Sequence, residues 1–395
     1  MKILFLSQRV PYPPNKGDKL RSFNQIKFLS QKHRIDLVCL TDHEKDLGYV
    51  QDLKKFCHSV DVVFLSKMQS NLQAGMGLLT GRPLTLSYFH SHKLQVLVNS
   101  KLRDESYDVV FVFCSSMAPY VEEVTSPPKV IDFVDVDSEK WRQYSAYAKF
   151  PMNHLYRLES RRLKKYEAQV AESFQHSFFV SEKETEDFKR LVCGCETATP
   201  ILNGVDLEAF RPTNEPYDPK SIVFTGAMDY FANIEAVLYF VREILPIIQK
   251  ATPGVKFYVV GSNPAKEVSD LTKTHPNVVV TGFVDTVQPY VLNSAVIVAP
   301  MRIARGVQNK ILEGMAMGVP VVTSSLGFEG ITAIPGIDLF VEDDPAAFAR
   351  RVLELMQDTG LRQETSIRAR KAVEMHYGWE GNLEKLEQVL ADLRK

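Results

Sequence analysis

Val296-Ile-Val-Ala-Pro-Met-Arg-Ile-Ala-Arg-Gly-Val-Gln-Asn-Lys-Ile-Leu-Glu-Gly-Met-Ala-Met-Gly-Val-Pro-Val-Val-Thr323 decides how this chain is read. An apolar, β-branched run ends at Pro300, and a loop then carries Arg302, Arg305 and Gly306. Helical spacing opens near Gln308, with Lys310 and Glu313 one turn apart on the outward side. Strand, basic loop and helix start follow one another, which is the local recipe for an anion site. Free N–H groups over Gly306, Val307 and Gln308, together with the helix dipole, favour negative charge. Lys310 with an arginine can neutralise a diphosphate, and Glu313 can accept from two neighbouring hydroxyls of a ribose. The small residues Gly314, Ala316 and Gly318 suggest a helix lying close to the strand Val319 to Thr323. The unit is therefore read as a seat for a nucleoside diphosphate. The plain alternative is a βαβ unit with a solvated basic loop.

Composition bounds the rest. At 395 residues the chain exceeds a single core, so two domains are expected. A content of 45% hydrophobic and 24% charged residues places it among folded soluble proteins. Forty-seven Lys and Arg against 48 Asp and Glu argue against nucleic acid as the main partner. The apolar run in Met1-Lys-Ile-Leu-Phe-Leu-Ser-Gln-Arg9 is too short for a secretion signal, and a cytoplasmic location is expected. Cys39, Cys57, Cys114, Cys193 and Cys195 are odd in number and lack metal-ligand spacing, as suits a reducing compartment. Cys193-Gly-Cys195 is a redox candidate, with two ordinary thiols as the preferred reading.

Two α/β halves emerge along the chain. Strand patterns at Lys2–Leu6, Ile35–Leu40, Ser59–Leu65, Val109–Phe113, Lys129–Phe133 and Ser177–Val180 alternate with helical spacing, notably Leu20–Lys32 and Leu155–Ser173. A second set follows at Ile222–Thr225, Lys256–Val260, Val278–Thr281, Val296–Ala299, Val319–Thr323 and Leu339–Val341. Helices fit Ile234–Lys250, Gln308–Met317 and Pro345–Asp358. Such alternation means parallel sheets wrapped by helices. Arg211-Pro-Thr-Asn-Glu-Pro-Tyr-Asp-Pro-Lys220 has no periodicity and reads as an interdomain linker. Residues 1–205 and 206–379 are the expected domains.

Pro200-Ile-Leu-Asn-Gly-Val-Asp-Leu-Glu-Ala-Phe-Arg-Pro212, Phe224-Thr-Gly-Ala-Met-Asp-Tyr-Phe-Ala-Asn233, Val260-Gly261, Thr281-Gly-Phe-Val284 and the Lys310–Val322 unit together resemble the GT-B glycosyltransferases of family 4. Within these the match is closest to the subgroup associated with exopolysaccharide and exosortase (PEP-CTERM) systems. The resemblance implies two Rossmann-like domains facing across a cleft, with the nucleotide-sugar held mainly by the C-terminal one. It places Lys310 on the diphosphate and Glu313, the second glutamate of an E-x7-E motif, on the ribose. The first glutamate is replaced by Arg305, which can bind phosphate alongside Arg302 instead. The stretch from Gly226 departs too, carrying Asp229 and Asn233 where relatives place an Arg and a Lys. Phe283 and Val284 would lie near the base, and Gly261 would let the chain approach the nucleotide. The terminal helix, residues 380–395, is expected to pack back on the N-terminal domain.

The N-terminal half supplies further candidates. Val10-Pro-Tyr-Pro-Pro-Asn-Lys-Gly-Asp-Lys-Leu-Arg21 is a loop leading into a helix, where Gly17 resembles the glycine that approaches donor phosphate or sugar. Asp18 suits a helix cap, and Arg21 either reaches a cleft or lies on a solvated face. Asp135-Val-Asp137 matches the D-x-D metal motif of the other large glycosyltransferase fold, a reading set aside because GT-B enzymes generally need no metal. Family 4 members often carry a histidine near the reacting sugar; none stands at this strand end, and Asp135 is the candidate replacement, followed by Asp137. His90 and His92 read as surface or packing residues. Arg157, Arg161, Arg162, Lys164 and Lys165 alternate with apolar residues at near-helical spacing, a face suited either to solvent or to anionic lipid.

The resemblance thus implies a retaining, metal-independent glycosyltransferase without a resident cofactor. A nucleoside-diphosphate sugar would be the donor, and a saccharide or polyprenyl-linked molecule the acceptor, in exopolysaccharide or other cell-surface glycan synthesis. Peripheral contact with the inner face of the cytoplasmic membrane is part of that expectation. A sugar-nucleotide epimerase and a noncatalytic scaffold of a polysaccharide assembly complex remain open alternatives.

Overall fold

Unbroken β-branched and aromatic runs become strands buried on both faces, the signature of parallel sheets covered by helices. Ile3, Leu4, Phe5 and Leu6 have no exposed surface, and Val109 to Phe113 are buried throughout. The structure, a computed structural model, describes residues 1–15, 17–192 and 197–393. Cys193-Gly-Cys195 therefore lies outside the described residues. The chain forms two units, the described residues of Met1–Leu202 with Leu383–Lys395, and Asn203–Asn382.

The first unit contains β1 (Lys2–Ser7), β2 (Arg34–Thr41), β3 (Ser59–Phe64), β4 (Val109–Phe113), β5 (Lys129–Val134), β6 (His176–Phe179) and β7 (Ala198–Pro200). They form one seven-stranded sheet in the order β3-β2-β1-β4-β5-β6-β7. Ile3 pairs with both Ile35 and Val109 in parallel register. The second unit contains β8 (Asp218–Thr225), β9 (Lys256–Val260), β10 (Val278–Gly282), β11 (Ser294–Ala299), β12 (Val321–Thr323) and β13 (Phe340–Val341). Their order is β10-β9-β8-β11-β12-β13. Strand order reverses between β1 and β4 in the first sheet and between β8 and β11 in the second. In open parallel sheets those switch points open crevices beyond the carboxyl ends of the strands, where ligands collect.

The division falls at Leu202/Asn203, upstream of the polar stretch 211–220. The Asn203-Gly204 turn is fixed within the second unit: Val205 N donates to Tyr377 O at 2.8 Å. A side chain at Gly204 would collide with Trp379, whose nearest atom would lie 2.5 Å from the added carbon. The helix Trp379–Asp392 then carries the chain back into the first unit. Leu383, Leu386 and Leu390 bury one stripe at helical spacing, and Glu387 meets His33 at 2.7 Å.

Two local expectations are corrected. Arg21 neither reaches a cleft nor faces solvent: it is fully buried, pairs with Asp132 at 2.8 Å and donates to Ile201 O at 2.7 Å. Gly318 does not serve close packing, since a side chain there would meet only ordinary contacts at 3.6 Å or more; its φ of +66° is the requirement instead. Gly314 does bring its helix against the sheet, because an added Cβ would lie 2.1 Å from the Ile297 side chain.

Candidate functional site

At the second switch point β8 ends in Thr225, and Gly226 follows with φ +154°. Gly226 N donates to Val260 O at 3.0 Å and Met228 N to Ser262 O at 2.8 Å, so the loops leaving β8 and β9 are laced together. Gly261, with φ +153°, is where they touch: a Cβ there would sit 1.7 Å from Gly226 O. The close approach that Gly261 permits is thus to Gly226. The amide of Asn233 occupies the space beside Gly226, with Nδ2 donating to Ala227 O at 2.9 Å. That bond turns Oδ1 the other way, toward the helix that follows β11.

This helix spans Asn309–Ala316. Lys310 Nζ donates to Asn233 Oδ1 at 2.5 Å and lies 4.3 Å from the centre of the Phe224 ring on β8. The ammonium is therefore held across the switch point by one amide and one aromatic face. Glu313 is one turn on, and both residues are partly buried. Burial pushes Lys310 down to about 7, with the Glu313 charge opposing the shift. Burial pushes Glu313 up to about 7, opposed by Lys310. A partly desolvated cation of this kind gains more from a multiply charged anion than a solvated lysine does.

Around this pair stand the other candidates. Arg302 is exposed, pairs with Glu235 at 3.2 Å and lies over the Tyr239 ring at 4.9 Å. Burial raises the Glu235 carboxyl, and Arg302 counteracts it. Gly306 adopts φ +63° in the loop before the helix, and Gln308 Nε2 donates to Arg305 O at 3.3 Å. Val307, Gln308 and Arg305 are all partly exposed. At the end of β10, Gly282 has φ +69° and turns the chain so that Phe283 is 71% exposed, with Val284 half-buried beside it. Asp229 accepts from Asn263 Nδ2 at 3.2 Å. Because every strand of this sheet is parallel, Gly226, Gly261, Phe283, Arg302 and the Lys310 helix all belong to its carboxyl rim. Sequence reasoning did not find Asn233 and Glu235 as the partners of Lys310 and Arg302. The only signal was that Asn233 stood where a basic residue was expected.

In the first unit, the switch point is bridged by Ser116 Oγ donating to Gln8 Oε1 at 2.7 Å. Gly17 opens the helix Gly17–Leu29, where Asp18 pairs with Arg9 at 3.1 Å and accepts from Lys19 N. Asp135 follows β5, one strand removed from the switch point. Asp137 is reached from the switch point, since Ser115 Oγ donates to it at 2.9 Å; it also pairs with Lys140 at 3.4 Å. Cys114 and Val134, at the ends of neighbouring strands, hold φ +74° and +69°, a region costly for side chains, above all a β-branched one. Among the described residues no group of three or more His, Cys, Asp or Glu is placed to hold a metal ion.

Residues 219–358, which contain this second-unit rim, match the model of the group 1 glycosyl transferases. That stretch is similar to the group 1 glycosyl transferases, and the chain has a GT-B fold. The matched stretch includes Lys310, Asn233, Arg302 and Glu313. Over 99% of this chain and 100% of the other, the fold superposes on HepE of Anabaena, solved with UDP and glucose, with a TM-score of 0.70 at 14% identity. Sucrose-phosphate synthase of Thermosynechococcus elongatus gives 0.73 at 15% identity, covering 100% of this chain and 99% of that one. A Klebsiella pneumoniae protein described only as an uncharacterised product of the cps region is 21% identical, covering 95% of this chain and 96% of its own.

Proposed function

We propose that the protein is a retaining, metal-independent glycosyltransferase that moves a sugar from a nucleoside diphosphate to a saccharide or lipid-linked acceptor in cell-surface glycan synthesis. The observation that carries this reading is the Lys310–Asn233–Phe224 arrangement at the β8/β11 switch point, with Glu313 one turn away. HepE was solved with UDP-glucose, which supports a uridine nucleotide as the first donor to test, and the cps-region relative supports a surface polysaccharide as product. No resident cofactor is required. The acceptor would be met at the inner face of the cytoplasmic membrane.

As the glycosidic bond to phosphate breaks, negative charge grows on the leaving diphosphate and positive charge on the sugar ring. Lys310, Arg302, Arg305 and the N–H groups of Gly306 to Gln308 supply fixed positive potential for the former. Lys310, whose charge burial disfavours, gains its proton more firmly when phosphate arrives. The leaving phosphate takes the acceptor's proton on the same face, which retains configuration. Asp135, or Asp137 beside it, would orient the acceptor hydroxyl.

Calorimetry with UDP and transfer assays with UDP-sugars test this directly. Lys310→Ala should lose about 1.5–3 kcal/mol of nucleotide affinity, the worth of a charge-assisted hydrogen bond. Asp135→Asn should keep that affinity and lose kcat, and transfer should persist in EDTA. Parental nucleotide affinity in a folded Lys310→Ala protein would sink the site assignment.

A further inference from the structure

The helix Lys67–Thr80 packs the wrong way round for a helix bathed only in water. Met68, Leu72, Met76 and Leu79 are 72%, 65%, 57% and 91% exposed. At about 100° per residue these four fall within roughly 80° of arc, one continuous apolar stripe. The opposite side carries Ser70 and Gly77, and these are the buried residues. Gly77 is where the next helix, Leu84–Tyr88, presses in, since an added Cβ would lie 2.6 Å from Ser87 Oγ. The helix therefore buries its small face and shows its greasy one.

That orientation is enforced. Arg162, on the helix Met152–Ser173, donates to the carbonyls of Gly77, Leu78 and Arg82 at 3.0–3.1 Å, tying down the end of the Lys67–Thr80 helix. Glu159 accepts from Leu84 N and Thr85 N at 2.7 and 2.8 Å, fixing the start of the next one. Basic residues concentrate in the first part of the Met152–Ser173 helix, with Glu167 and Glu172 confined to its last two turns. Residues 67–103 contain five Lys and Arg and no Asp or Glu. Residues 148–166 contain six Lys and Arg and one carboxylate, the buried Glu159. Arg157, Arg161, Lys164 and Lys165 are exposed around Arg162. In a chain of net charge −1 this is a local concentration of cations beside an unburied apolar stripe. No helix among the described residues is long and apolar enough to cross a bilayer.

We propose that the Lys67–Thr80 helix is a membrane-docking face, its Met68–Leu72–Met76–Leu79 stripe entering the acyl boundary of an anionic bilayer while the cations of the Met152–Ser173 helix hold the headgroups. The inference deepens the membrane-side part of the function proposed above and rests on it, but names a different helix as the one that inserts.

Cosedimentation with vesicles of phosphatidylcholine and phosphatidylglycerol, mixed at about two to one, tests it. The parent should bind these vesicles and not pure phosphatidylcholine, and high salt should weaken binding. Replacing Met68, Leu72, Met76 and Leu79 together by Gln, a good helix former, should reduce binding roughly tenfold or more. The melting temperature and UDP affinity of that variant should match the parent. Leu79→Trp should keep binding and report insertion as a blue-shifted emission, quenched by brominated acyl chains. A parent that ignores anionic vesicles, a quadruple variant that binds like the parent, or an indole emission that vesicles leave unshifted in the Leu79→Trp protein would overturn the proposal. So would a parental dimer that the four substitutions dissociate, which would give the face to a second copy. UDP binding measured on the same preparations separates this outcome from failure of the donor-site reading.

Discussion

An ammonium group that gives up water must find replacements, and Lys310 has found an amide oxygen and a ring rather than a carboxylate within bonding distance. Burial holds it down to about 7, and at the proposed donor site this would make nucleotide binding a protonation event. A diphosphate bound beside it would raise the lysine's pKa. Above pH 7, each molecule of nucleotide must therefore bring a proton with it, and affinity should fall with rising pH by up to about tenfold per unit. Below 7 the lysine is already charged and its part of the dependence disappears, leaving that of Glu313, which burial raises to about 7. Calorimetry in buffers of different ionisation enthalpy should show net proton uptake near pH 8, and Lys310→Arg, charged throughout, should abolish it. Lys310 and Glu313 were readable from sequence because one turn of helix puts them together. Asn233 was not, because it lies 77 residues from Lys310 and no local period links them. Arg21 failed for the same reason: its partner Asp132 is 111 residues away, and a charged residue without a visible partner reads as solvated.

Elements buried on both faces announced themselves, so β4 and β9 stand where their apolar runs placed them. β7 is three residues long, too short to carry a period, and the Lys67–Thr80 helix turns its apolar face outward, so neither was anticipated. The two close-packed glycines of the candidate site should respond differently to substitution. Gly261→Ala drives a methyl into the Gly226 carbonyl, which is backbone and cannot rotate away, at positive φ. A loss of about 2 kcal/mol or more, with weakened nucleotide binding, is expected. Gly314→Ala meets the end of the Ile297 side chain, which can change rotamer, and gains helix propensity. Its net cost should stay within about 1 kcal/mol. Urea denaturation of both variants decides the matter, and equal losses would mean that the β8 and β9 loops yield more than their hydrogen bonds suggest.

At the scale of the whole chain, alternating strands and helices made the two-sheet fold readable, and the chain divides at Leu202/Asn203, beside the expected boundary at 205/206. The aperiodic stretch 211–220, read as a linker, lies inside the second unit. Leu383, Leu386 and Leu390 belong to the first unit, a placement that the family resemblance implied for residues 380–395 and that no local period marks. Deleting the residues beyond Asn382 should therefore lower the unfolding temperature of the first unit while leaving UDP binding by the second. Limited proteolysis should then cut first within residues 1–202; fragmentation confined to 203–382 would reverse the assignment. The same arrangement sets an order on biosynthesis. Residues 203–382 are synthesised before the leucine stripe that closes the earlier unit, so the first unit lacks one wall until the chain of the second has been made. Until then the apolar surface that Leu383, Leu386 and Leu390 cover stays open.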